Sequence, residues 1–204
     1  MTLKINLFKV LLGTLLSAFG LSLMITSSLG VDTLSVALFG VMKIFPLKFG
    51  YLSLCFNLFV LMIAFLFDRR QIGIGSLING IGIGLGVNFF TSFFTLNTSS
   101  IISQLVASIS GVLLFALGIG IYVSAQLGAA ALECLTLMVV NSSNFSIKTV
   151  RILIDSTMIV IGLLLGNANL GIGTLLCVCT TGVIMEGVLK FQSRLIKNKK
   201  IDAG

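Results

Sequence analysis

Charge is what this sequence has least of. Only 9% of its 204 residues are Asp, Glu, Lys or Arg, while 57% are apolar, and mean hydropathy is +1.17. A water-soluble domain carries nearer a quarter charged residues, so this composition cannot cover the surface of one. Histidine is absent, which removes helical zinc-protease motifs and every Ser-His or Cys-His nucleophile system. No Gly-x-Ser-x-Gly elbow or phosphate-cradling lysine loop occurs, and no lysine stands inside an apolar run to activate a serine. Asp32 and Asp155 lack the local pattern of a two-aspartate intramembrane protease. The expectation is therefore no enzyme: no catalytic residue, no cofactor and no metal. The four cysteines (Cys55, Cys134, Cys177 and Cys179) all lie in apolar runs and read as small buried residues rather than disulfide partners. Cys177 and Cys179, two apart, point to different faces of a helix and make a poor metal pair.

What is present in quantity is apolar runs of 18 residues or more, each long enough to cross about 30 Å of hydrocarbon as a helix. Inside lipid every backbone N–H and C=O needs an internal partner, which restricts spanning structures to helices and closed barrels. A barrel strand alternates polar with apolar residues, and runs such as Phe56 to Phe67 do not alternate. The expectation is an all-α, polytopic transmembrane bundle, with residues 1–204 forming a single membrane domain. Lys4 and Lys9 precede the first apolar run, but no small-x-small cleavage pattern leads into a polar chain, so the run reads as the first membrane helix. The net charge is +7, and five of thirteen basic residues are Lys190, Arg194, Lys197, Lys199 and Lys200. Such a cluster after a membrane helix reads as a positive-inside anchor, which makes 192–204 a basic cytoplasmic tail, not a nucleic-acid arm.

Glycine carries a second pattern. Shifted by 98 positions, residues 13–86 lie on 111–184 without a gap, and Gly13, Gly20, Gly30, Gly73, Gly75 and Gly84 fall on Gly111, Gly118, Gly128, Gly171, Gly173 and Gly182. Eleven and nine glycines over 74 positions give between one and two chance coincidences (11 × 9 / 74), and six are found. The chain reads as a duplication, with copies at 8–94 and 101–191. Each copy divides into a long helix, a short apolar segment and two further long helices: 8–28, 31–45, 50–67 and 72–94, then 101–126, 129–141, 148–166 and 170–191. The short segments are too short to cross comfortably. They follow Leu29-Gly30 and Leu127-Gly128, where glycine ends a helix without steric cost, so each reads as a re-entrant or broken helix.

If the short segments do not cross, each copy has three spans and the copies are inverted. Lys43 and Lys48 are then outside, with the other eleven basic residues inside. If they do cross, there are eight spans and Arg69 and Arg70 are outside instead, again with eleven inside. The positive-inside rule does not separate the two; segment length favours six spans with two half-helices, and both arrangements leave both termini in the cytoplasm.

The Leu-Gly turn, short helix and Gly-x-Gly-Ser/Thr helix start carry a family resemblance. In residues 29–38 (LGVDTLSVAL) and 73–76 (GIGS), echoed by 127–135 (LGAAALECL) and 171–174 (GIGT), the chain resembles the YczE/YitT family of bacterial integral membrane proteins. The resemblance implies a bacterial plasma-membrane location and a multi-span fold. It implies no substrate or reaction.

Of six acidic residues, Asp32, Glu133, Asp155 and Glu186 lie within or beside apolar runs. An ionised carboxylate at mid-membrane costs on the order of 3 kcal/mol or more, so it faces a polar cavity or a partner. Asp155 has Arg151 four residues away as an intrahelical partner. Asp32 stands where a carboxylate caps a helix. Glu186 can meet Lys190. Glu133 has no basic residue within four positions and is the leading site candidate. Interrupted helices at a repeat interface are where many transporters bind their cargo. Gly30 and Gly128 would break the helices there, with Gly73, Gly75, Gly171 and Gly173 starting or packing later ones. Glu133, Asp155 and Asp32 would line the cavity, and Asn57, Asn79 and Gln126 would add neutral hydrogen bonds there. The functional expectation is a small-solute transporter or permease for a cation, an amine-bearing solute or a proton. The alternative is a non-transporting accessory or scaffold protein. The bilayer is the expected partner, and a homodimer is compatible with so short a chain.

Overall fold

The computed structural model describes residues 2–67, 69, 72–93, 100–145, 147–166, 170–181, 183, 184, 187 and 188. The basic tail and Glu186 lie outside the described residues. The described structure is helical throughout: α1 (Thr2–Ser27), α2 (Thr33–Met42), α3 (Phe49–Phe67), α4 (Ile74–Phe93), α5 (Ile101–Ser124), α6 (Ala131–Asn141), α7 (Ile147–Leu164) and α8 (Ile172–Thr181). Four of these, α1, α3, α4 and α5, are long and apolar enough to cross a bilayer. α7 has 18 residues, but Lys148, Arg151 and Asp155 lie among them.

The outside of the bundle is apolar and the inside holds the polar groups, the reverse of a water-soluble domain. Phe59, Met62, Leu66, Phe89, Leu113 and Leu175 are exposed, whereas Ser17, Ser22, Asn57, Asn79, Ser108 and Thr136 are buried. Lipid is the solvent that fits such a surface. Hydroxyls within helices return their protons to carbonyls one turn back: Ser22 to Ala18 at 2.7 Å, Thr136 to Leu132 at 2.8 Å, Thr181 to Cys177 at 2.6 Å. That leaves these donors satisfied without water.

Between helices in lipid, close packing replaces the hydrophobic effect as the source of cohesion, and glycine supplies the closeness. A methyl group built on Gly13 would stand 2.6 Å from the Gly118 carbonyl oxygen, and one on Gly20 would stand 2.6 Å from that of Gly111. The pairing of 13 with 118 and 20 with 111 makes α1 and α5 antiparallel at near backbone contact. α4 carries two glycine faces. Gly80 and Gly84 abut Asn57 and Gly50 of α3, while Gly82 and Gly86 abut Thr14 and Ala18 of α1, which wedges α4 between its neighbours.

The junctions after α1 and α5 turn in the same way. Ser28 and Gln126 have φ of 58° and 53°, and Gly30 and Gly128 have φ of 114° and 123°, values that suit glycine and strain other residues. The Leu29 carbonyl accepts from Gly173 N at 2.8 Å, and the Leu127 carbonyl accepts from Gly75 N at 2.9 Å. Gly73 and Gly171 lie directly against those carbonyls, where any side chain would collide. Beyond each junction the chain enters a helix of only 10 or 11 residues, about 15 Å long. α2 then runs beside α7: Val36 and Gly40 meet Gly162, and the Lys43 ammonium donates to the Gly166 carbonyl. α6 runs beside α3, where Cys134, Leu61 and Ala64 are buried together.

Candidate functional site

The N-terminal ends of α2 and α6 open onto one cavity of about 360 Å³. Asp32, Thr33 and Ser35 line it from α2 and its cap, and Ala130, Ala131 and Glu133 from α6 and its cap. α3 contributes Ser53 and Asn57, α4 contributes Asn79, α5 contributes Tyr122, and α7 contributes Arg151 and Asp155. Cys177 and Thr181 of α8 complete the polar wall, and Leu21, Ile83, Phe115 and Ile119 form much of the apolar one.

Three charged groups on α6 and α7 and a hydroxyl on α2 form a chain of contacts. Arg151 Nε donates to Asp155 Oδ2 at 3.2 Å and its Nη1 donates to Glu133 Oε1 at 3.4 Å. Thr33 Oγ1 donates to Asp155 Oδ1 at 2.7 Å, so α2 is joined to α7, and α7 to α6, through side chains facing the cavity. Asp32 is 9% exposed; its carboxylate accepts from the Ser35 backbone N–H at 3.4 Å and from the Ser35 hydroxyl. It caps α2, as its position before a helix predicts. α6 has no such side-chain cap, because Ala130 stands at that position, and Glu133 is the acidic residue of its first turn.

The neutral groups are held as firmly. Asn57 donates to the Ser53 carbonyl at 2.7 Å and to its hydroxyl at 3.3 Å, and Asn79 donates to Thr14 Oγ1 at 3.2 Å. Tyr122 donates to the Gly128 carbonyl at 2.8 Å, tying the turn before α6 to α5.

Five of the six polar candidates, Asp32, Asn57, Asn79, Glu133 and Asp155, therefore line one cavity. Gln126 does not: the left-handed turn at that residue leaves it exposed, away from the lining. Gly30 and Gly128 break the chain as expected but pack against Gly171 with Thr174 and against Gly73 with Ser76, not around the cavity. Glu133, without a cation near it in sequence, has one in space. Arg151 lies 18 residues away, beyond the reach of any helical spacing rule. Thr33, Tyr122 and Thr181 carry no signal that separates a lining hydroxyl from any other helical one.

Apolar-out helices around a polar, partly charged cavity define a polytopic α-helical membrane protein. The chain belongs to a family of unknown function, DUF6198, whose model matches residues 4–190. It is 29% identical over 185 residues to the uncharacterised membrane protein YczE of Bacillus subtilis, covering 90% of this chain and 85% of YczE. It is 28% identical over 193 residues to the uncharacterised protein YyaS of the same organism, covering 93% and 96%. An uncharacterised protein of Haemophilus influenzae is 28% identical over 127 residues, covering 62% of this chain and 57% of that one. These relationships accord with the resemblance to YczE-like proteins read from the Leu-Gly and Gly-x-Gly motifs. No solved structure matches the chain.

Proposed function

We propose that this protein is a small-solute transporter or permease of the bacterial plasma membrane, built as two inverted copies and binding a cation, an amine-bearing solute or a proton in the cavity between its half-helices. The observation that carries the reading is the convergence of Asp32, Glu133 and Asp155 with Asn57 and Asn79 on one cavity at the starts of α2 and α6. A scaffold has no need of three carboxylates there, each of them costly in a membrane interior.

Several contacts recur at the offset of 98 and support the duplication. Leu29 with Gly173 corresponds to Leu127 with Gly75, and Ser28 and Gln126 share the left-handed backbone. Gly13 with Gly118 corresponds to Gly111 with Gly20. Antiparallel α1 and α5 fit copies that cross the bilayer in opposite directions, with six spans, α2 and α6 as half-helices and both termini in the cytoplasm.

Uptake into proteoliposomes tests the reading, with guanidinium, methylammonium and proton flux as probes. Wild-type protein should move at least one of them, and Glu133→Gln and Asp155→Asn should each reduce the rate by about tenfold or more. Movement unchanged in both variants, or no movement of any probe, would return the protein to the scaffold reading. Thiol labelling of Lys43→Cys and Arg69→Cys in a cysteine-free background tests the spans separately. Only position 43 should be reached from outside with six spans, and only position 69 with eight.

A further inference from the structure

We propose that Arg151 is a resident cation, occupying the carboxylates that a guanidinium- or primary-ammonium-bearing monovalent cation takes over when it binds. The inference rests on the transport reading for the meaning of the occupant as cargo. The binding competition itself follows from the side chains.

Arg151, Glu133 and Asp155 all line the cavity, so the ion pairs face open space, not a sealed helix interface. The guanidinium meets each carboxylate through a single contact, 3.2 Å to Asp155 and 3.4 Å to Glu133. Charge-assisted N–H···O bonds at their best are bidentate and nearer 2.8 Å, so Arg151 spans two acceptors without fully engaging either. Its side chain is 36% exposed, against 23% for Glu133 and 18% for Asp155. A partly exposed pair of this kind is weak and exchangeable.

The acceptors do not depend on Arg151 for their placement. Thr33 holds Asp155 from α2 at 2.7 Å, and Glu133 stands in the first turn of α6, where the helix dipole favours a carboxylate. When Arg151 swings away, both remain in position. Charge balance points the same way. Among the described lining residues, the two carboxylates of Glu133 and Asp155 share the one guanidinium of Arg151. A cavity that carries more negative than positive groups in a low-dielectric setting selects a positive occupant. A group with several N–H donors reproduces what Arg151 offers, so the same geometry that holds the side chain also recognises a free guanidinium or ammonium.

The test uses the full chain in lipid nanodiscs with guanidinium chloride as probe and potassium chloride at matched ionic strength as control. Calorimetric titration should show saturable guanidinium binding to wild type, and binding roughly tenfold tighter to Arg151→Gln, since the internal competitor is gone. The double variant Glu133→Gln/Asp155→Asn should lose binding. In wild-type protein labelled with ¹⁵N-arginine, the Nε resonance of Arg151, assigned by its loss in Arg151→Lys, should shift as guanidinium saturates; this arm decides the matter even if Arg151→Gln does not fold. Guanidinium that does not bind, that binds Arg151→Gln no tighter than wild type, or that binds with the Arg151 resonance unmoved would overturn the competition. The transport reading is judged apart from it. Tightened binding without uptake in proteoliposomes would sink transport and leave the competition standing. Uptake of a solute carried by an unchanged Arg151→Gln variant would do the reverse.

Discussion

Ser53 and Asn57 on α3, and Arg151 and Asp155 on α7, are two pairs four residues apart that face one cavity and lie 98 positions from each other in the chain. Each pair closes on itself, Asn57 donating to Ser53 at 2.7 and 3.3 Å and Arg151 donating to Asp155 at 3.2 Å. The first is neutral and self-contained. The second is charged, and it reaches outward to Thr33 of α2 and Glu133 of α6. The comparison teaches that two similar frames need not carry similar chemistry. Gly13, Gly20, Gly30, Gly73 and Gly75 and the left-handed turns at Ser28 and Gln126 recur at an offset of 98, while among the described residues the ion pairs lie only at Glu133, Arg151 and Asp155. Matched packing frames the cavity; unmatched polar residues set its chemistry.

The frame is where substitution should cost most. Gly13→Val places its new atoms 2.6 Å from backbone atoms of Gly118 and Tyr122, and backbone cannot move aside as the tip of a side chain can. Overpacking of this kind is expected to cost about 3 kcal/mol, read as loss of folded protein and a lower melting temperature in detergent. Gly187→Val is the control, since among the described residues nothing outside its own helix lies within 4 Å of the position where its Cβ would stand, and its melting temperature should match wild type. Equal loss in both would mean that helix propensity, not the α1–α5 contact, sets the effect.

Next in size is a charge placed at the neutral pair on α3. Asn57→Asp would put a carboxylate on α3 where Ser53, unlike Arg151, brings no positive charge. The cost should be about 1 to 3 kcal/mol in thermal stability at neutral pH. Adding Ser53→Arg should recover part of it, and a double-mutant cycle measures the coupling between the two positions. A coupling of zero would show that the α3 position differs from its α7 counterpart in more than its side chains.

Part of this architecture is legible in the amino-acid sequence. Glycines at matched spacing were legible because close backbone approach admits almost no other residue, so the requirement shows in composition. The two short helices were legible from the length between a Leu-Gly turn and the next polar stretch, and Asp32 as a cap from its place just before Thr33. The Arg151–Glu133 contact was not. It spans the α6–α7 turn, and whether two groups 18 residues apart meet depends on the geometry of that turn, which no periodicity encodes. Gln126 misled for a related reason: a polar residue beside a helix break could face either way, and its left-handed φ of 53° turned it outward. Residues 148–166 read as a long helix, and α7 is one over Ile147–Leu164, though Lys148, Arg151 and Asp155 keep it out of the helices apolar enough to cross a bilayer.

The smallest expected effect sharpens the comparison at the starts of the two short helices. α2 begins with Asp32, whose carboxylate accepts from the Ser35 N–H, and α6 begins with Ala130, whose side chain has no group that accepts. A cap satisfies one of the donors that a helix N-terminus leaves free, and the exchange of a capping residue for alanine costs about 1 kcal/mol. Ala130→Ser should therefore raise stability by up to about 1 kcal/mol, and Asp32→Ala should lower it by a similar amount. Asp32→Asn separates the two roles of the residue, because the amide oxygen still caps while the charge is gone. If Asp32→Asn keeps the wild-type melting temperature but alters cation binding, the carboxylate serves α2 as an acceptor and the cavity as a charge. If it melts as early as Asp32→Ala, the cap depends on the full carboxylate. The two helix starts would then differ in electrostatics as well as in hydrogen bonding, and Ala130→Ser should fall short of the gain expected for it.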